Sequence, residues 1–205
     1  MLLCALQPRG YNRAMLHKLF LTALLLLPAG CVFGGPPKGL ALSTGAHPDH
    51  PVLVQSLTIN GAELNRMESL KLSGWSGPKG AGHALLSMPV DAGDRSRLHL
   101  TAQWTDLAGN IGYSGQITAK MSDLTVVKLS DRTGEVIVLF GPDGYLELAT
   151  AAPPDASGQY NGRIIATVCA TAGPGLPADH WIWENGRYQG LDPVPAQAPD
   201  MGCRR

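Results

Sequence analysis

The chain has 205 residues, with 16 Lys+Arg against 16 Asp+Glu, 44% hydrophobic residues and only 16% charged ones. That length fits one domain with tails, and zero net charge argues against a nucleic-acid binder, which needs a basic excess. Its 25 Gly and 16 Pro argue against a helical bundle, because both residues break helices.

Residues 1–30 contain Arg9, Arg13 and Lys18 and no acidic residue, and an apolar run of nine residues follows from Leu19 to Leu27. As a helix that run would rise about 14 Å, too short for a hydrocarbon core of about 30 Å. A basic flank, a short apolar core and the small residues Ala29 and Gly30 predict a cleaved secretory signal over 1–30. Pro28-Ala29-Gly30-Cys31 resembles a bacterial lipobox, although the pattern usually has an aliphatic residue where Pro28 stands. The resemblance implies that Cys31 is lipidated and becomes the new N-terminus, with cleavage at a conventional site nearby as the alternative. Met15 begins a compact signal by itself, so residues 1–14, with Cys4, read as an upstream extension. Val32 follows the cysteine where lipoproteins held in the inner membrane commonly carry Asp. By that resemblance the expected location is the periplasmic side of the outer membrane, with membrane lipid as the first partner.

Removing 1–30 leaves 13 basic against 16 acidic residues, a charge too mild to select a partner. Residues 31–51, rich in Gly and Pro, predict a lipidated flexible tether. His47-Pro48-Asp49-His50 falls within it and reads as solvated linker rather than as a metal site, which needs three or four converging ligands.

The stretch 52–191 predicts a β-rich domain. VLVQSLTIN (52–60) ends at the turn pair Asn60-Gly61. GAELNRMESLKL (61–72) allows one short helical piece, and SGWSGPKGAGHA (73–84) reads as loop. Its glycines have the wrong spacing for a phosphate loop. Ser76 has Gly74 two positions before it but Pro78, not Gly, two positions after it, so the Gly-x-Ser-x-Gly spacing of a nucleophile elbow is incomplete.

RLHLTAQWT (97–105) alternates, with Leu98, Leu100, Ala102 and Trp104 on one face. Asp106–Asn110 then reads as a hairpin loop, and IGYSGQITAKM (111–121) as the return strand. EVIVLF (135–140) and YLELAT (145–150) flank the turn Gly141-Pro142-Asp143-Gly144. RIIATVCA (163–170) is a further strand. Connections this short favour antiparallel pairing over crossovers. The expected fold is therefore all-β and mainly antiparallel, a small β-sandwich or curled sheet with little helix.

His180-Trp181-Ile182-Trp183, with Tyr188 beyond the hairpin signal Asn185-Gly186, is the densest aromatic group. In a strand Trp181 and Trp183 would share one face. That face is either core or a binding surface formed by Trp181, Trp183 and Tyr188. A Pro-rich tail spans 192–205. With Cys31 lipidated and Cys4 removed, Cys169 and Cys203 remain in an oxidising compartment, where an even pair is expected to bond and tie the tail down. The alternative is two unpaired thiols.

Leu98–Leu107, the return strand with Tyr113, and Val136–Glu147 together resemble small lipoproteins of Gram-negative bacteria, some encoded beside type VI secretion effectors. The similarity covers roughly residues 97–150. It implies a non-enzymatic periplasmic lipoprotein with a protein partner, in some cases an immunity protein that blocks a toxin. It carries over no catalytic, metal or cofactor residue. The expected function is a lipid-anchored interaction protein that acts by binding. The alternatives are an envelope-assembly or glycan-binding lipoprotein and, third, an enzyme.

Overall fold

A computed structural model describes residues 36–47, 50–63, 70–72, 86–89, 96–128, 132–152, 162–185, 188 and 200–203. All of them lie in one unit spanning Pro36–Arg205. The described strands are β1 (Gly39–Ala46), β2 (Val52–Ile59), β3 (Ala62–Glu63), β4 (Leu70–Leu72), β5 (Leu86–Pro89), β6 (Arg97–Asp106), β7 (Ile111–Lys120), β8 (Val126–Lys128), β9 (Thr133–Phe140), β10 (Tyr145–Ala151), β11 (Gly162–Cys169) and β12 (Thr171–Gly173). Two single 3-10 turns, Met121–Asp123 and Pro142–Gly144, are the only helical pieces among the described residues. The chain is all-β.

The strands form two sheets. The first runs β11-β10-β9-β1-β5, with β8 also on β9; the second runs β12-β7-β6-β2-β3, with β4 also on β2. Both contribute to one core. Leu40, Leu42, Val136, Val138, Phe140 and Leu146 come from the first sheet, and Val54, Leu57, Leu98, Leu100, Trp104 and Ile117 from the second. The Trp104 indole lies at its centre, 5.0 Å from the Phe140 ring and 5.7 Å from Tyr113.

Local chemistry sets the strand ends. Asn60 (φ 48°) and Gly61 (φ 81°) supply the two positive-φ positions that a tight hairpin turn requires, and β3 folds back on β2. The β9–β10 connection turns at Asp143 (φ 56°) and Gly144 (φ 77°). The β6–β7 hairpin pairs Arg97 with Lys120 through Asp106 with Ile111 without a break, as the alternation predicts. Leu98, Leu100, Ala102 and Trp104 are buried, whereas Arg97, His99, Thr101 and Gln103 face outward.

One expectation is corrected. Gly39–Ala46, placed in the tether, is instead β1, an interior strand between β9 and β5 with Leu40, Leu42 and Ala46 buried. Small residues dilute its hydrophobicity but satisfy two neighbouring strands with backbone hydrogen bonds, so the sandwich begins before Val52. The pairing is mainly antiparallel, as expected, with one exception: β1 runs parallel to β9, Gly39 opposite Thr133 through Ala46 opposite Phe140. The long crossover that parallel pairing needs is supplied by the second sheet's strands rather than by a helix. Within 61–72, Ala62–Glu63 and Leu70–Leu72 are strands; the intervening 64–69 lie outside the described residues, as do 1–35, the 73–84 loop and 191–199.

Candidate functional site

The outer face of the second sheet is polar and open. Thr101 and Gln103 of β6, and Ser114, Gln116 and Thr118 of β7, are exposed and uncharged. His99 Nδ1 lies 3.1 Å from the Thr118 hydroxyl. At the side of this face the chain leaves β11 in one sheet and enters the other as β12. The Ala170 N–H donates to the Gly144 carbonyl at 2.8 Å, and among the described residues β12 pairs only with Gly112–Ser114 of β7. Gly115 sits at this crossing because any Cβ there would come within 3.1 Å of Leu146 and 3.2 Å of Ala170. A groove of about 380 Å³ opens here, lined by Thr101, Gln103, Ser114, Gln116 and Thr171 and by Val168, Cys169 and Ala170 where β11 ends. Hydroxyls and amides of this kind both donate and accept hydrogen bonds.

A second cluster occupies one end of the sandwich. His50, expected in solvated linker, is 7% exposed. Its Nδ1 lies 3.1 Å from Asp106 Oδ2. Asp106 Oδ1 accepts the Ala108 N–H at 2.8 Å, and the Leu107 N–H donates to the Pro51 carbonyl. The His47 N–H donates to the Phe140 carbonyl, and its ring lies 6.0 Å from that of His50. These bonds dock the β1–β2 connection onto the end of β6 and orient the buried imidazole through its Nδ1. Its Nε2 is buried and has no hydrogen-bond partner among the described residues. Burial raises the Tyr113 phenol pKa, with further contributions from the charges of Asp106 and Asp143.

Carboxyl groups also lie beneath the outer face of the first sheet. Glu135 and Glu147 are almost wholly buried, and burial raises the pKa of each. The Ala151 N–H partly offsets the rise at Glu135, and the Tyr145 hydroxyl, donating to Glu147 Oε2 at 2.6 Å, does so at Glu147. Burial, then Glu147, pushes the Tyr145 phenol well above its ordinary range. Glu147 lies opposite Leu139 in the β9–β10 register. Glu135 is two pleats away on β9, about 13 Å along the strand. Among the described residues no three or more His, Cys, Asp or Glu side chains are placed to hold a metal ion.

The structure separates the three aromatic candidates. The segment around residue 182 is a turn rather than a strand. Ile182 is buried with Leu53, Leu107 and Leu176, and Trp183 and Tyr188 pack against that cluster. The Trp183 indole donates to the Pro177 carbonyl at 3.0 Å. Trp181 is 59% exposed, its ring 5.4 Å from His180. Cys169 and Cys203 lie at bonding distance, 2.02 Å between sulfurs and 5.3 Å between Cα atoms. They hold the Asp200–Cys203 end of the tail against β11. Cys31 lies outside the described residues.

Sequence reasoning missed the His50–Asp106 contact, whose members are 56 residues apart, and the polar groove. The signals that pointed to them were the His-Pro-Asp-His motif and the uncharged outward positions of β6 and β7. No protein-family model, curated protein or solved structure matches the chain.

Proposed function

We propose that this protein is a lipid-anchored component of the bacterial envelope that acts by binding another protein on the periplasmic side of the outer membrane. The observation that supports binding is the open groove on the second sheet, where exposed hydroxyls and amides gather beside the β11–β12 crossing. The ionisable groups elsewhere serve packing: His50 docks a connection on Asp106, and Tyr145 shields Glu147. Immunity against an incoming effector is the specific form implied by the resemblance of residues 97–150.

Anchoring is tested by Cys31→Ser. Several acyl chains hold a protein firmly, whereas one gives only marginal binding. The variant should move from the membrane fraction to the soluble periplasmic fraction and lose the added mass on its N-terminal peptide. Unchanged fractionation without that mass would overturn anchoring. Binding is tested in living cells with a photo-crosslinking residue at Gln103. It should capture a discrete protein adduct that the same residue at exposed Ala178 does not.

A further inference from the structure

The small net charge of the chain conceals an uneven distribution. β6 and β7 run about 30 Å from one end of the sandwich, where Arg97 is opposite Lys120, to the other, where Asp106 is opposite Ile111. The Asp106 end is acidic. Asp143 lies in the turn that packs on Tyr113, Asp179 and Glu184 flank the Ile182 that packs with Leu107, and Asp200 belongs to the tail piece held on Cys169. No Lys or Arg side chain is described there. The other end is basic. The Met121 N–H donates to the Ser96 carbonyl, the Lys38 N–H to the Arg132 carbonyl, and the Arg163 guanidinium to the Asp123 carbonyl. Pro37 and Leu124 both crowd Gly134. These contacts gather Lys38, Arg97, Lys120, Arg132 and Arg163 at one end, and all but the half-buried Arg132 are exposed.

Arg97 and Lys120 stand directly opposite each other, an arrangement in which like charges repel. Among the described residues none of the five basic side chains is in an ion pair. Asp123 is the one unburied acid described at this end; Glu63 lies level with Thr101, about 13 Å up the sheet. Asp91, Asp94 and Asp131 lie outside the described residues. The chain also enters the fold here, since β1 starts at Gly39. Pro36 is five positions after Cys31, at most about 18 Å of extended chain. A lipid on Cys31 would therefore hold the basic end, and not the acidic one, next to the headgroups.

We propose that the basic end of the sandwich docks on the acidic phospholipid headgroups of the bilayer that holds Cys31, so that the domain stands with its acidic end outward. Acyl chains supply the hold, and each basic residue brought near an anionic surface adds to it. Headgroup phosphates offset the repulsion between Arg97 and Lys120, and the same surface repels the carboxylates of the far end. The polar groove begins at Thr101, about 13 Å along β6 from Arg97, and stays clear of the headgroups. The inference rests on the anchoring reading and adds an orientation to it.

The test uses the chain from residue 31 onward with Cys31→Ser, so that no acyl chain contributes. The probes are vesicles of phosphatidylcholine alone or mixed with phosphatidylglycerol. Each exposed basic residue near an anionic surface is worth roughly fivefold in binding. The mixed vesicles should therefore bind on the order of 100-fold more tightly than the neutral ones. Arg97→Gln combined with Lys120→Gln should weaken that binding by on the order of 20-fold. Asp179→Asn combined with Glu184→Gln, at the far end, should leave it within about threefold of the parent. Chemical labelling of the lipidated protein gives a second readout that needs no variant. An amine-reactive reagent should label Lys38 and Lys120 on the order of 10-fold more slowly on mixed than on neutral vesicles. A carboxyl-reactive reagent should label Asp179 and Glu184 equally on both. Equal binding to the two vesicles, a basic double variant that binds as the parent does, or equal labelling of Lys120 on the two would each overturn the proposal. Retention on heparin without binding to mixed vesicles would assign this end to an acidic polymer and would overturn it too. Anchoring itself is decided separately, by the fractionation of the Cys31→Ser variant in cells.

Discussion

The two sheets share one core yet treat their outer faces in opposite ways. In β6 and β7 burial alternates residue by residue, and the outward positions are polar and open. In β9 and β10 every residue is buried, and the outward positions carry Ile137, Leu139 and Ala149 together with the carboxyls of Glu135 and Glu147. A strand covered on both faces loses alternation and reads as an apolar run, as EVIVLF and YLELAT do. A strand covered on one face advertises itself by its period. Roles divide along the same line: β9 and β10 commit their outer face to the protein's own packing, and β6 and β7 present theirs to solvent.

The largest effect should come from the core that both sheets share. Trp104 is fully buried between Tyr113 and Phe140, and Trp104→Ala should cost about 3–5 kcal/mol in urea unfolding. Its outward neighbour Gln103→Ala should change stability by less than about 0.5 kcal/mol. A loss under about 1 kcal/mol for Trp104→Ala would break the shared-core description. Next is the cross-link that ties the tail to the first sheet's edge. With a sequence separation of 34, closing the loop restricts the unfolded chain by about 4 kcal/mol in the entropy model. Cys203→Ser should lower stability by up to that amount, and unreduced native protein should yield no alkylatable thiol at Cys169.

The smallest effect sharpens the contrast between outer faces. Burial raises the Glu147 and Glu135 pKa values in the folded protein, while the unfolded carboxyl titrates near about 4.3. The folded state thus keeps its proton to higher pH. That contribution to stability is complete below about pH 4.3 and is lost as pH rises through the folded-state value, at no more than about 1.4 kcal/mol per pH unit per group. Glu147→Gln, whose amide oxygen still accepts from Tyr145, should flatten the fall in unfolding free energy above about pH 4. A profile identical to the parent's would show that the Glu147 site is not desolvated.

Legibility followed the same division. The β6–β7 hairpin, its inward set and the Asp106–Asn110 turn were readable because one-sided burial writes a period of two into the sequence. The Cys169–Cys203 pairing was readable by elimination, given the expectation of a lipidated Cys31 and a removed Cys4. β1 was not readable: Gly39, Ala41, Gly45 and Ala46 give it the composition of a linker, and only its placement between β9 and β5 shows why small residues suffice. The parallel partner of β1 was hidden for a related reason, since register between distant segments leaves no local signal. His50 was misread because its partner lies on a strand far along the chain. The groove was invisible as a motif because it is made where strands part, from residues that are ordinary one at a time.

The parallel pairing of β1 with β9 also has a kinetic side. Gly39 must find Thr133, 94 residues further along. Pairings of such high contact order form slowly, because the loop must close before the contacts reward it. A chain that emerges N-terminus first exposes β1 well before its partner exists. Throughout that interval the β6–β7 hairpin can form from local contacts alone, while the first sheet lacks an interior strand. The second sheet should therefore be the earlier to gain protection during refolding. The window before β9 arrives is when the chain is most open to proteases and most dependent on chaperones that hold unpaired strands apart.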